Sequence, residues 1–252
     1  MNASYLIFDL DDTLLTSDKK ITKYTAHILK TCQERGHKLI INSARSFPFM
    51  KDYVKQINAD YTIANGGAEI YKGEERIYFN GIDIQTVNSI IKELILNESS
   101  FSIQTPTNLY SSSIEYVNSN NLSRYFDFKK DFPFEASKIV FSCDNINFAK
   151  SLKEKYHLTL TNYLNGNWYR LSKTTKQTGN ELLFKYLNIS KPNVYAFGDD
   201  IGDLAMLKAY NGVAVKNSLQ LILDEIKNIT KFTNNEDGCA KYIEELMKEG
   251  KL

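Results

Sequence analysis

The stretch Tyr5-Leu6-Ile7-Phe8-Asp9-Leu10-Asp11-Asp12-Thr13 decides how this chain is read. Tyr5 to Phe8 form a continuous apolar run, the pattern of a strand buried on both faces, and the acids that follow mark its carboxyl end. Carboxylates rarely sit beside a core unless they are paired or bind metal. The carboxyl ends of parallel strands are also where α/β sheets bind ligands. The same residues have a plainer reading, a polar turn whose Asp and Thr cap the next helix.

Outward from this stretch the pattern alternates. Ile21, Thr25, Ile28, Leu29 and Cys32 fall at helical spacing, with Gly36 as a stop signal. Leu39-Ile40-Ile41 predicts a second buried strand. Phe47, Met50, Tyr53, Val54 and Ile57 predict a second helix, with Pro48 tolerated in its first turn. Tyr61-Thr62-Ile63-Ala64 predicts a third strand, broken by Asn65-Gly66-Gly67. Strand and helix in alternation are the grammar of a parallel sheet with right-handed crossovers. It returns near the C-terminus. Leu182, Leu183, Tyr186 and Leu187 lie on a helix, Val194 to Phe197 on a strand, and Leu204 and Leu207 on a helix. Strands at 212–215 and 229–232 flank a helix with Leu219, Ile222, Leu223 and Ile226, and a last helix carries Ile243, Leu246 and Met247.

Between about Ile82 and Ser172 the texture changes to a mixed α+β composition rich in Asn, Ser, Tyr and Phe. It holds one clear helix (Val87, Ile90, Ile91, Leu94, Ile95) and strand-like runs at 101–103, 138–141 and 168–171. The expectation is an α/β protein whose parallel sheet is interrupted by an inserted α+β domain. Its aromatics, Tyr110, Tyr116, Tyr125, Phe126, Phe128, Phe132, Phe134 and Trp168, suit the core of that domain better than a substrate box.

A second acid cluster, Gly198-Asp199-Asp200-Ile201-Gly202-Asp203, follows the strand ending at Phe197. Two such clusters at strand ends of one sheet can converge on a hard cation, and oxygen ligands of this kind suit magnesium. For Asp199 and Asp203 a capping or Asx-turn role is the alternative. Ser43, in Asn42-Ser43-Ala44-Arg45, follows a strand and precedes a helix, so it can hold an anion or merely cap. Lys176 lies in the turn before the helix of Leu182 and can pair with a phosphoryl oxygen.

The 252 residues carry 31 basic and 30 acidic side chains, a net charge of +1 that predicts no general attraction to nucleic acid or anionic membrane. No run approaches the ~20 apolar residues of a bilayer span. The N-terminus lacks a basic n-region, so no signal peptide is expected. Cys32, Cys143 and Cys239 form no C-x-x-C pair, and His27, His37 and His157 have no zinc-ligand spacing. A cytoplasmic protein with reduced thiols is expected.

Together these motifs resemble those of the haloacid dehalogenase superfamily, and within it the Cof-type phosphatases with a large type-II cap. The family's D-x-D-x-[TV] matches Asp9 to Thr13, its second-motif hydroxyl Ser43, and its third-motif lysine Lys176, thirteen residues before Ile189. Its G-D-x-x-N-D matches residues 198–203 except that Gly202 stands where the family has Asn. Asn65-Gly66-Gly67-Ala68 is similar to its N-G-A turn, and Glu236-Asp237-Gly238 to its E-D-G. Ser43-Ala44-Arg45 replaces its T-G-R, and Ser172 to Thr175 lack its Pro and Gly.

The resemblance implies a Rossmann-like core domain over 1–81 and 173–252 and an α+β cap domain over 82–172. It implies magnesium-dependent hydrolysis of a small phosphate ester, such as a sugar phosphate or pyridoxal phosphate, through an aspartyl-phosphate. Asp9 would be the nucleophile and Asp11 the acid/base. Magnesium would be held by Asp9, Asp199 and the Asp11 carbonyl, with Asp203 nearby. Ser43, Lys176 and the amides of Leu10 and Ala44 would bind the phosphoryl oxygens. A monomer or weak homo-oligomer is expected. A phosphomutase of the same superfamily and a non-catalytic phospho-ligand sensor, the latter favoured only by Gly202, are the rival readings.

Overall fold

The run of Leu6, Ile7 and Phe8 has no exposed surface, as expected of a strand covered on both faces. It belongs to the first of three stretches of regular structure. From the N-terminus these are β1 (Ser4–Phe8), α1 (Lys23–Glu34), β2 (Lys38–Asn42), α2 (Lys51–Ile57), β3 (Tyr61–Ala64), β4 (Glu69–Lys72) and β5 (Glu75–Phe79). The middle stretch holds α3 (Ile84–Leu96), β6 (Phe101–Gln104), β7 (Leu109–Ser111), α4 (Ile114–Asn118), β8 (Ser123–Tyr125), β9 (Lys138–Ser142), α5 (Ile146–Lys155), β10 (Thr159–Asn162) and β11 (Trp168–Ser172). The last holds α6 (Lys176–Tyr186), β12 (Asn193–Gly198), α7 (Leu204–Ala209), β13 (Asn211–Ala214), α8 (Gln220–Glu225), β14 (Asn228–Ile229) and α9 (Gly238–Lys248). This computed structural model describes residues 3–118, 121–163, 166–190 and 193–252, without the side chains of residues 116 and 118, so the ring of Tyr116 lies outside the described residues.

The first and last stretches build one eight-stranded sheet, in the order β14-β13-β12-β1-β2-β3-β4-β5. Strands β14 to β3 run parallel, and β4 and β5 are antiparallel additions at one edge. Because side chains alternate across a strand, each buried strand serves two cores. Leu6, Phe8, Leu39, Ile41 and Phe197 pack with Leu29, Val54 and Ile243 of α1, α2 and α9. Ile7, Ile40, Ile63 and Ala196 pack with Leu183, Met206 and Ile222 of α6, α7 and α8. The sheet is thus sandwiched between helical layers, as in a Rossmann-like fold. The middle stretch forms a six-stranded sheet, β10-β11-β9-β6-β7-β8, backed by α3 and α5 through Val87, Ile90, Leu94, Ala149 and Leu152. The fold class read from sequence is therefore correct: a parallel-sheet α/β core carrying an inserted α+β unit.

Some elements differ from expectation. Residues 69–79 fold as the β4–β5 hairpin, which the sequence reading passed over although Gly73, at φ +60°, marks its turn. The helix expected from Phe47 is a short 3-10 turn, Phe47–Phe49, followed by α2. The strand expected over 229–232 is confined to β14, because the Thr230 hydroxyl bonds the Phe232 carbonyl and bends the chain. Phe128 and Phe132 are buried in the inserted unit's own core, whereas Trp168 is 39% exposed.

The turn after β3 fixes how α6 approaches the sheet. Gly67 has φ +104°, and a Cβ there would lie 2.1 Å from the Thr175 carbonyl oxygen. Gly67→Ala is therefore expected to cost about 3 kcal/mol, a Tm loss of about 6–12 °C for a chain of this size. Gly73→Ala is the control. Its Cβ would meet nothing within 4 Å, so it carries only the left-handed penalty of ~1–2 kcal/mol. Equal melting shifts for the two variants would refute the close-approach argument.

Candidate active site

The strand order creates the site. β1 lies between β12 and β2, so the chain leaves the sheet in opposite directions on either side of β1 and opens a crevice at the strands' carboxyl ends. Phe8 pairs in register with Phe197 and Ile41. Asp9, Asp199 and Ser43 therefore emerge from three neighbouring strands. The Asp9 amide donates to the Phe197 carbonyl at 3.1 Å. Beyond it the chain turns sharply, with Asp12 at φ 56° and the Leu15 amide bonded to the Leu10 carbonyl at 2.8 Å.

Asp9, Asp199 and Asp203 each present a carboxylate oxygen, all within 4.8 Å of one another. Lys176 Nζ lies 2.8 Å from Asp9 Oδ1 and 2.7 Å from Asp203 Oδ1. The lysine sits at the first position of α6, behind a Thr175–Thr178 capping box, one residue inside the turn expected for it. The Asn42 side-chain amide donates to the Lys176 carbonyl at 2.9 Å and steadies that turn. Asp203 holds the turn that precedes it: its Oδ2 accepts the amides of Asp199 and Asp200 at 3.2 and 3.3 Å while Oδ1 holds Lys176, and its side chain does not cap α7. Gly198 is required for this, since a Cβ there would come within 2.5 Å of the Asp203 side chain. Thr13 Oγ1 donates to Asp199 Oδ1 at 2.7 Å.

Burial dominates the electrostatics. It raises the pKa of Asp9, against Lys176 and the Leu10 amide, which favour the ionised form. It raises Asp203 well above the usual carboxylate range, with Lys176 opposing and Asp9 adding. Burial, then the charge of Asp9, pushes Asp199 up to about 7. Burial works against the Lys176 ammonium, but Asp203 and Asp9 outweigh it and hold the lysine charged. One ammonium thus faces a triad of crowded carboxylates, all oxygen donors. That donor set and its excess of negative charge fit a hard divalent cation.

Asp11 stands apart from this triad. Its carboxylate accepts Arg45 Nε and Nη2, both at 2.6 Å, and lies 2.9 Å from Lys19 Nζ. Burial would raise its pKa, but these two cations outweigh burial and hold it low. The sequence reading gave neither Arg45 nor Lys19 a role, although Arg45 occupies the third place of the motif compared with T-G-R. Ser43 Oγ accepts the Arg45 amide at 3.3 Å, and the Ala44 carbonyl accepts Lys138 Nζ, from β9, at 2.7 Å. Asp237 binds the hydroxyls of Thr22 and Thr25 at 2.5 and 2.8 Å, so the Glu236-Asp237-Gly238 motif ties α9 to α1.

These residues floor a cavity of about 450 Å³ lined by Asp9, Asp11, Ser43, Ala44, Lys176 and Asp199. The side chain of Leu10 is wholly buried beneath it. Thr161, Asn162, Tyr163 and Arg170, from the inserted unit, form the opposite wall. A larger groove of about 640 Å³ between α1 and α2 offers only exposed charges such as Lys23, Lys30 and Glu34, so the chemistry selects the smaller cavity. At Gly202 a Cβ would meet only Asp200, at 3.0 Å or beyond, so the departure from the family motif leaves the triad and Lys176 intact.

A parallel α/β sheet with crowded acids and a buried lysine at its switch point suits the binding of a phosphoryl group together with a cation. Comparison with known proteins agrees. Residues 6–243 match the haloacid dehalogenase-like hydrolase family, and the chain belongs to it and is a phosphatase. A protein of Buchnera aphidicola subsp. Baizongia pistaciae is 29% identical over 257 residues, covering 94% of this chain and 96% of that one. The 5-amino-6-(5-phospho-D-ribitylamino)uracil phosphatase of Bacillus subtilis is 24% identical, covering 96% and 97%. The crystal structure of a haloacid dehalogenase-like hydrolase from Bacteroides thetaiotaomicron superimposes with a TM-score of 0.82 at 22% identity, covering 97% of this chain and 100% of that one. Among the described residues no helix is long and apolar enough to cross a membrane.

Proposed function

We propose that this phosphatase is magnesium-dependent and hydrolyses a small phosphorylated metabolite through an aspartyl-phosphate on Asp9. The observation that carries the reading is the Lys176 ammonium bridging Asp9 and Asp203 beside Asp199, at the floor of a cavity walled by the inserted unit. Asp9, Asp199 and the Asp11 carbonyl would hold Mg²⁺, with Asp203 behind them. When bound, the ion supplies the positive charge that offsets repulsion between a carboxylate nucleophile and a phosphate dianion.

An Asp9 carboxylate oxygen forms the new bond to phosphorus as the ester P–O bond breaks. Lys176, Ser43 and the amides of Leu10 and Ala44 bind the phosphoryl oxygens. The proton needed by the leaving oxygen comes from Asp11. Arg45 and Lys19 hold Asp11 ionised, so it must leave them and gain a proton before acting as the acid. As a carboxylate it then takes a proton from water, whose oxygen attacks phosphorus and frees Asp9. Residues 82–172 act as the cap domain over the core of 1–81 and 173–252, excluding water and contacting the leaving group. The substrate is a soluble phosphate monoester, the class to which the Bacillus relative's named substrate belongs. The buried, unpaired thiols of Cys32, Cys143 and Cys239 suit the cytoplasm.

The test is release of inorganic phosphate from p-nitrophenyl phosphate. Turnover with millimolar Mg²⁺ and its loss with EDTA are expected. Ion binding competes with a proton on Asp199, whose pKa of about 7 in the free protein makes the apparent Mg²⁺ affinity fall as pH drops from 8 to 6. Full activity in EDTA, or an affinity independent of pH, would count against this reading.

A further inference from the structure

The wall opposite the acid triad contains an unused cation. In β11, Tyr169 and Leu171 point into the inserted unit's core, so Arg170 points the other way, toward the crevice. Its register partners are Thr161 in β10 and Val140 in β9. Arg170 is only 6% exposed and lines the cavity that holds Asp9 and Lys176. Nη2 donates to Thr161 Oγ1 at 3.1 Å, Nη1 lies over the bare face of Gly66, and Nε has no partner. Among the described residues no carboxylate lies within ion-pair distance of it. Burial works against the guanidinium's charge and outweighs Asp200, which favours it from beyond ion-pair distance. The usual compensation for a buried, incompletely paired guanidinium is an anion.

A second observation shows where that anion fits. A side cavity of about 280 Å³ shares Thr161, Asn162, Arg170 and Gly202 with the main one. The room lies beside Arg170, between β10–β11 of the inserted unit and Thr175, Ile201, Gly202 and Ala205 of the core, and adjoins the main cavity.

We infer that Arg170, with Thr161 and Asn162, binds a second anionic group on the leaving-group portion of the substrate, a carboxylate or a second phosphate. Preferred substrates are then phosphate monoesters that carry another oxyanion. Lys138, on the same face of the sheet, is no competitor for that role. Burial, reinforced by Arg170, pushes it down to about 7, and its Nζ is committed to the Ala44 carbonyl. Arg170 remains the permanent charge.

This inference rests on the phosphatase reading, and the experiment separates the two. kcat and KM are measured for matched pairs: 3-phosphoglycerate against glycerol 3-phosphate for a carboxylate, and fructose 1,6-bisphosphate against fructose 1-phosphate for a second phosphate. p-Nitrophenyl phosphate is the reference, with wild type, Arg170→Gln and Arg170→Lys. In wild type the doubly anionic member of one pair is expected to win by about ten-fold or more in kcat/KM. Arg170→Gln should bring that ratio near one, mainly through KM, and Arg170→Lys should restore part of it. The winning pair names the group. The wild-type ratios stand even if a variant fails to fold. Turnover of the reference with equal rates within both pairs, or a preference that survives Arg170→Gln, overturns the Arg170 assignment alone. No turnover of any substrate by wild type removes the phosphatase reading and this inference with it.

Discussion

Asp9→Asn is expected to abolish phosphate release while making the metal-free protein more stable. The amide cannot form an acyl phosphate, so kcat should fall by at least about 10⁴-fold, the scale on which a covalent nucleophile is missed. The stability gain follows from crowding. Asp9 is 5% exposed, shares a 4.8 Å cluster with Asp199 and Asp203, and has its pKa raised by burial. Removing one of these carboxylates relieves repulsion and leaves Lys176 paired with Asp203 at 2.7 Å. A gain of ~1 kcal/mol corresponds to a Tm rise of about 2–4 °C in EDTA. Added Mg²⁺ should stabilise wild type more than the variant, because the variant has lost one oxyanion ligand. Residual turnover above a hundredth of wild type would remove Asp9 from the nucleophile's role. A large drop in Tm would show that the carboxylate is structural.

How much of this was legible in the sequence depends on how local each signal is. β1, β2 and β12 are built on continuous apolar runs, and an acid or hydroxyl follows directly at each strand's end. One strand pattern therefore placed Asp9, Ser43 and Asp199 together. The inserted unit was harder because its elements are short and sparsely buried. β7 and β8 have 3 residues each, and α5 buries only Ala149 and Leu152. Such elements carry too few apolar residues to show a period. The Asp11–Arg45 pair joins side chains 34 positions apart through their rotamers, which no spacing rule encodes. Arg170 lies inside the strand-like run 168–171, which carries no functional signal of its own. Its alternation with Tyr169 and Leu171 marks it as facing away from the core. Only the cavity it shares with Asp9 and Asp199 shows that this face looks onto the acids.

The same electrostatics make Lys176 the residue whose loss should be felt in both activity and folding. Lys176→Met keeps the length and apolar stem of the side chain but leaves Asp9 and Asp203 buried without the ammonium they share. Breaking a buried pair by deleting one partner costs about 3–5 kcal/mol, and losing one stabilising cation from a phosphoryl site costs about 10²–10³-fold in kcat. The stability loss should depend on pH, and its sign separates charge from packing. Burial raises the folded-state pKa of Asp9 and Asp203 even with the lysine present, and without it their ionised forms lose their main support. Groups with raised folded-state pKa values bind protons more tightly when folded, so folding is favoured as pH falls and the penalty appears as pH rises through those values. The wild-type minus variant difference in unfolding free energy should therefore shrink between pH 8 and pH 5. Mg²⁺ should recover part of it at pH 8, where the carboxylates are free to bind a cation. A difference that stays constant with pH would mean that the lysine acts by packing, and the shared ammonium would no longer explain why this site tolerates its buried acids.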